Sequence, residues 1–387
     1  MAQTLIAEDI DLGALWDDPY PTFARLRAEN PVAWVPSAGH YFLTRFDDVV
    51  HAERNGEIFN STAPESLVHR VMGHAFIRKD GDDHAADRRQ VMPAFSPAAV
   101  KRRWRTAFES IADALLNGLE PRGAADLFTD FAAPMAARSL VEVTGLATIA
   151  WQDMARWSQW MMDAVGNYHG DPELARRGAE ATAGIDAAID AMTPRLRAEP
   201  DGSVLSVLLA AGMPTELIRA NVKVIIGGGQ NEPRDAIAGL AWALLADPAQ
   251  RALVAADAGL WGRAFEEYIR WISPIGMVPR TVSRETELAG VRLKAGDRVA
   301  LLFGSANRDE TKFEAPERFD LSREKSQHVA FGAGPHFCAG AWVARTQVAE
   351  VALPRLFARL PRLRLAGPVH CGGWVFRGPL TLPCAWD

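Results

Sequence analysis

The chain has 387 residues, 48% of them hydrophobic, and a net charge of −6, which supplies apolar material for a large core and argues against general nucleic-acid binding. Three cysteines, an odd number at unpatterned spacing, suit a reducing cytoplasm and exclude a disulfide framework. Residues 1–18 mix acidic and apolar side chains without a basic start or a long apolar run, so neither signal peptide nor membrane anchor is expected.

Length alone would suggest two or three domains, but no linker, charge run, low-complexity tract or repeat divides the sequence. A single domain, 1–387, is the expectation. Pro21 to Glu29 predicts a short amphipathic helix, and Val32–Val35 and Tyr41–Thr44 predict strands around a turn at Gly39. Asp47 and Asp48 then offer caps for the next helix. Residues 60–83 hold few periodic positions and several turn formers, which predicts a long loop. In the helix expected after it, His84 and Arg88 are four apart and share a face, a pattern that a solvated salt-bridge surface also produces. Lys101, Arg102, Arg103 and Arg105 make a basic cluster on a helix predicted over Val100–Leu116. Residues 124–211 read as successive helices with Trp151, Trp157 and Trp160 in the core. Met161, Met162 and Val165 sit at positions that serve either packing or a pocket.

Residues 221–246 are apolar but interrupted by Gly227-Gly228-Gly229-Gln230-Asn231-Glu232-Pro233. Glycines and proline are poor helix-interior residues, and Pro233 leaves the Gly229 carbonyl without its helical partner, so a break or kink is expected. Such a helix can pass close to a flat ligand. Further on, Glu267 and Arg270 are spaced for an ion pair on one helical face. Leu288–Leu293 and Asp297–Leu302 predict strands, and Trp374–Pro379 a turn between strands.

Between these last elements lies Phe331-Gly-Ala-Gly-Pro-His-Phe-Cys338-Ala-Gly340, with a helix expected from Ala341. A lone cysteine is most often a small buried hydrophobe. Here the helix start favours a thiolate, Gly332, Gly334 and Gly340 clear its surroundings for a large flat group, and Phe331 and Phe337 supply aromatic walls. A nucleophile would want a base in reach, and His336 is badly placed for it; zinc would want ligands at short spacing, and Cys371 and Cys384 are too distant. A single thiolate in such a loop fits an axial haem ligand.

The run also resembles, without mismatch, the haem-binding loop of the cytochrome P450 superfamily, Phe-Gly-x-Gly-x-His-x-Cys-x-Gly. The resemblance implies a mainly α fold with a minor β region, the cytochrome P450 fold, holding one haem b (iron protoporphyrin IX). Cys338 becomes the iron ligand, His84, Arg88, Arg280 and His336 the propionate donors, and Phe331, Gly332, Gly340 and Gly228 further haem contacts. The glycine-rich segment matches the family's oxygen-side helix, in which an acid and an alcohol deliver protons. Counting back from Asp247-Pro248, the acid position falls on Asn231 and the alcohol position on Glu232. Glu232 then either hydrogen-bonds the helix or handles protons itself, with Asn231 orienting water and Gln230 beside it. Glu267 and Arg270 would join a third residue, Arg318, in folding rather than chemistry. Met72, Phe76, Val165, Gly228, Ile275, Val278 and Phe376 are the expected pocket lining.

Gln230–Pro233, Gly304–Asn307 and Trp374–Pro379 look most like the bacterial aromatic O-demethylases acting on guaiacol- and syringol-type methoxyphenols. That branch has Gln-Glu where this chain has Asn231-Glu232, and a phenylalanine-rich pocket. The implied activity is monooxygenation of a small organic substrate, by hydroxylation or O-demethylation, in the cytoplasm. Electrons would come from NAD(P)H through a reductase and ferredoxin, docking near the basic cluster. Two alternatives are a peroxygenase driven by hydrogen peroxide, which Glu232 favours, and a non-catalytic haem-thiolate sensor.

Overall fold

The computed structural model describes residues 6–63, 65–167, 169–324 and 327–387. It is mostly helical with small sheets, and no helix among the described residues is long and apolar enough to cross a membrane. The chain forms two compact units, one of Met1–Thr62, Ala238–Cys338 and Gly367–Leu382, the other of Ala63–Ile237, Ala339–Ala366 and Pro383–Asp387.

The first unit is built on a five-stranded sheet in the order Val32–Val35, His40–Leu43, Arg298–Leu301, Val278–Val282, Phe59–Asn60. His40–Leu43 and Arg298–Leu301 run parallel and the other three pairs are antiparallel. Alternate residues point to opposite faces, and both faces are covered. Leu43, Val299 and Leu301 pack with Phe59, Phe303 and Phe313; Phe42, Ala300 and Leu302 pack with Leu15, Phe23 and Leu26. A short helix Leu12–Asp17 precedes the expected one, which spans Tyr20–Glu29, and Gly39 takes the turn at φ +64°.

Two sequence expectations change in this unit and one holds. Asp47 and Asp48 lie inside the first turn of the helix Phe46–Arg54, where they complement the helix dipole, while its first amide, Phe46 N–H, is capped by Asp309 Oδ2 at 2.9 Å. Leu288–Leu293 is a hairpin, Thr286–Leu288 against Val291–Leu293. Ala289 and Gly290 at φ +48° and +78° form its tight turn, a backbone that suits antiparallel strand twist. The Trp374–Pro379 turn does join two paired strands, Cys371–Gly372 and Gly378–Pro379.

The second unit is helical apart from a three-stranded sheet of Ala124–Asp126, Pro383–Ala385 and Arg364–Leu365. Its helices Trp151–Val165 and Pro172–Ala198 approach closely because a Cβ at Gly178 would lie only 2.4 Å from that of Ala164. Residues 60–83 are not one loop: they contain the helix Leu67–Met72, capped by Ser66, and a 3-10 turn at Phe76–Arg78. The basic stretch opens as a wide helical turn, Val100–Trp104, before the helix Arg105–Leu119. Trp151, Trp157 and Trp160 are half-buried rather than core. Arg156 stacks on the Trp160 ring at 5.2 Å and Arg138 on that of Trp151 at 5.5 Å, so indoles on the polar side of this helix serve as cation platforms. Met154, Ser158 and Met161 occupy the buried side.

Candidate functional site

In the first unit, the loop bearing Cys338 closes on itself. Cys338 N–H donates to Phe331 O at 2.8 Å and Phe337 N–H to Gly334 O at 3.1 Å. The Phe331 and Phe337 rings lie 6.1 Å apart, and Cys338 is exposed. Gly340 is the N-cap of a helical run that starts at Ala341 and continues to Arg359. Gly332 and Gly334 both sit at φ +73°. A Cβ at Gly334 would meet the Glu53 carbonyl oxygen at 2.7 Å, and one at Gly332 would meet Glu53 Oε2 at 2.8 Å. These two glycines therefore admit the last turn of the helix Phe46–Arg54.

Arg280, on the strand Val278–Val282, donates through Nη2 to Glu53 Oε1 at 2.5 Å and through Nη1 to its own neighbour Pro279 O at 2.9 Å. Glu53, 3% exposed, also accepts from Ala333 N–H at 3.1 Å. Nothing in the sequence around Glu53 singled it out. His336 is half-buried in the same loop. Nearby, Ile275 bridges to Phe376, and Gly276 N–H donates to Val375 O at 2.8 Å. Ile275, Phe376 and the start of the Val278 strand are thus gathered in one place, with Phe376 38% exposed.

The buried ion pair forms as spaced: Arg270 Nε and Nη2 donate to the two oxygens of Glu267, each at 2.8 Å. The third member is not Arg318, whose side chain is 76% exposed beside Glu317. It is Arg323, which donates through Nε to Glu267 Oε1 at 3.1 Å. Arg318 offers only its carbonyl oxygen, which accepts from Arg270 Nη2 at 2.8 Å. A carboxylate this deep needs a second donor, and the turn following Phe319 points Arg323 at it.

In the second unit, His84 and Arg88 lie on the helix Gly81–Phe95, His84 buried and Arg88 half-buried. The Phe76 ring is 6.3 Å from that of His84, and Phe76 N–H donates to Asn221 Oδ1 at 2.8 Å. Asn221 belongs to the helix Thr215–Ala246, which runs unbroken through the three glycines and Pro233; the expected break is absent. Each glycine meets something different. A Cβ at Gly229 would lie 2.7 Å from a Leu140 methyl, and one at Gly227 would lie 3.1 Å from Met72 Cε and 3.2 Å from Met162 Sδ. At Gly228 nothing lies within 4 Å, so only this glycine leaves open space. Met72 is buried and Val165 half-buried at the end of the Trp151 helix, and Met162, which with Met161 and Val165 could serve packing or a pocket, stands beside Gly227.

Immediately after the glycines come three side chains with a buried oxygen lacking a hydrogen-bond partner: Gln230 Oε1, Asn231 Oδ1 and Glu232 Oε2. Gln230 is anchored by its other end, Nε2 donating to Ala133 O at 3.3 Å. Burial, reinforced by the neighbouring Asp235, pushes the Glu232 carboxyl up to about 7, so it can hold or release a proton near neutrality.

A cytochrome P450 family model matches residues 262–359. Over 373 residues the chain is 32% identical to the vitamin D(3) 25-hydroxylase of Pseudonocardia autotrophica, covering 92% of this chain and 90% of that protein. The chain belongs to the cytochrome P450 family. This P450 is also 30% identical to the linalool 8-monooxygenase of Pseudomonas putida, over 90% of each chain. Its fold matches the crystal structure of CYP108D1 from Novosphingobium aromaticivorans with a TM-score of 0.88, at 25% identity and over 100% of both chains.

The P450 is a haem-thiolate monooxygenase with haem b as cofactor, acting on small organic substrates. Its residues fit that group. In the first unit, Cys338 is exposed at a loop preceding a helix; in the second, taken by itself, the helix Thr215–Ala246 offers one uncovered glycine, Gly228, followed by three polar side chains with unpartnered oxygens.

Proposed function

We propose that Cys338 provides the axial thiolate, that His84, Arg88, Arg280 and His336 bond the haem propionates, and that residues 1–387 work as one cytochrome P450 domain in the cytoplasm. Phe331, Gly332, Gly340 and Gly228 would contact the haem. Bound haem thiolate supplies oxygen activation. The remaining roles fall to the chain: Met72, Met162, Phe76, Val165, Ile275, Val278 and Phe376 hold an apolar substrate and keep water out. The overall balance is substrate C–H, O2, NAD(P)H and a proton giving substrate C–OH, water and NAD(P)+. A reductase and ferredoxin would deliver the electrons. Lys101, Arg102 and Arg103, all exposed, suit an acidic donor, whereas Arg105 is engaged by Glu350 at 2.7 Å. The observation that carries the assignment is the self-closed loop holding an exposed Cys338. Cys338→Ala should abolish the red-shifted carbonyl spectrum of the reduced protein; its retention would refute the ligand.

Among substrates, we propose a small methoxylated phenol or benzoate. Hydroxylation of its O-methyl carbon gives a hemiacetal, which collapses to a phenol and formaldehyde. The thioethers of Met72 and Met162 beside Gly227 provide an adaptable, polarisable surface for an aromatic ring. A panel of such ethers giving neither a haem spin-state change nor formaldehyde would eliminate this class and leave C–H hydroxylation, the reaction named for the relatives above.

Glu232 supports a second reading, turnover on hydrogen peroxide. With a carboxyl poised near 7 and an unpartnered oxygen, it can take a proton from one peroxide oxygen and return it to the other, which an alcohol does poorly. Substrate C–H plus hydrogen peroxide then gives C–OH plus water without reductase. Glu232→Thr should lower peroxide-driven turnover while preserving the reductase-driven reaction. If neither route runs while haem binds normally, the protein is a sensor.

A further inference from the structure

Glu53 is a carboxylate with its side chain only 2% exposed, at the end of a helix that carries no expected site residue. Its two oxygens point at different parts of the Cys338 surroundings. Oε1 accepts from Arg280 Nη2, and Oε2 accepts from Ala333 N–H at 3.1 Å, five residues before the cysteine. Gly332 and Gly334 are shaped around this turn: their positive φ and the 2.8 and 2.7 Å clearances leave no room for any side chain. A buried carboxylate is costly unless paired and fully hydrogen-bonded, and here both conditions are met by groups beside the iron ligand.

Arg280 carries five N–H donors in a rigid plane. Glu53 and the Pro279 carbonyl each take one, which fixes the plane and leaves donors over. An arginine held in this way pays little rotamer entropy when a second anion arrives.

We propose that Glu53 is a positioning residue for haem: it presets the Arg280 guanidinium for a propionate and ties the Cys338 loop to the same carboxylate. The inference rests on the assignment of Arg280 to a propionate. Haem capture and ligand-loop order are then coupled through one side chain, so a change at Glu53 reaches both without touching haem or substrate.

The test uses the haem-loaded protein and transfer of haem to apomyoglobin. Glu53→Gln keeps size and an acceptor for the Ala333 amide but removes the charge facing Arg280. It should release haem about ten-fold faster, the scale typical of residues that orient a cofactor's direct partners. Arg280→Leu should also release haem faster, and the double variant should match Arg280→Leu alone, because Glu53 acts through Arg280. A Glu53→Gln protein that keeps haem like the parent, or a double variant whose loss is the product of the two single losses, would overturn the proposal. A purely structural role would give that product. Arg280→Leu holding haem like the parent would instead sink the propionate assignment, a result read independently of the Glu53 variants. In the parent, which needs no variant to fold, hydrogen exchange at the Ala333 amide should be slow with haem bound. Fast exchange there would remove the loop half of the proposal.

Discussion

Replacing Glu232 by glutamine isolates the proton on that carboxyl. The raised value, about 7 against an ordinary 4.5, means that the folded protein binds this proton more tightly than the unfolded chain. The associated stability is fully present below about pH 4.5 and is lost as pH rises toward 7. The full difference corresponds to about 3 kcal/mol. Because Glu232 is half-buried, solvent screening lowers the expectation to about 1–3 kcal/mol. Glutamine imitates the neutral acid and cannot ionise. Glu232→Gln should therefore match the parent near pH 4.5 and exceed it by about 1–3 kcal/mol at pH 8. Urea midpoints measured at intervals across this range, with haem bound, read the difference directly. The same ionisation should make any peroxide-driven turnover of the parent rise with pH around 7, since the base is the carboxylate. A midpoint difference between variant and parent that is equal at both ends of the range would refute the shifted carboxyl, whatever its cause.

Three other outcomes follow from the geometry. Arg323→Met strips a donor from a buried carboxylate and should cost about 2–4 kcal/mol, whereas Arg318→Ala, on an exposed side chain, should stay within about 0.5 kcal/mol; equal unfolding midpoints for the two would return Arg318 to the ion-pair network. Gly334→Ala places a methyl on the Glu53 carbonyl in a strained backbone and should reduce haem content on purification. Gly228→Ala meets no protein atom, so in the absence of haem it should be as stable as the parent or up to about 1 kcal/mol more so from the better helix former, while its haem spectrum shifts; an unchanged spectrum would place the haem elsewhere.

How much of this was legible in the sequence depends on how local each signal is. The Cys338 loop could be read because a run of ten residues carries the glycines, the aromatics and the cysteine together. Glu267 and Arg270 could be read because helical spacing alone makes them neighbours. Their third partner could not, since Arg323 reaches Glu267 across 56 residues and arginines at 318 and 323 look alike in one dimension. Asp309, which caps a helix 263 residues earlier, is hidden for the same reason. The helix Leu67–Met72 is a different kind of omission: six residues give barely two turns, too few for an apolar period, although the Ser66 cap was present to be noticed.

The glycines carry the sharper lesson. Composition says only that a side chain is missing, and the sequence alone suggests room for a flat ligand both around Cys338 and along the helix of Gly227–Gly229. In the structure, Gly332 and Gly334 yield to Glu53 and Arg54, Gly229 to Leu140, and Gly227 to two methionine side chains. Only Gly228, among the five, leaves space that no protein atom fills. A missing Cβ thus marks close approach, and the partner must be found before the approach is given to a ligand. That distinction is what moves attention from the glycines of the cysteine loop to the carboxylate they accommodate. It makes Glu53, which no motif contains, the residue through which Arg280 and the loop of Cys338 are held together.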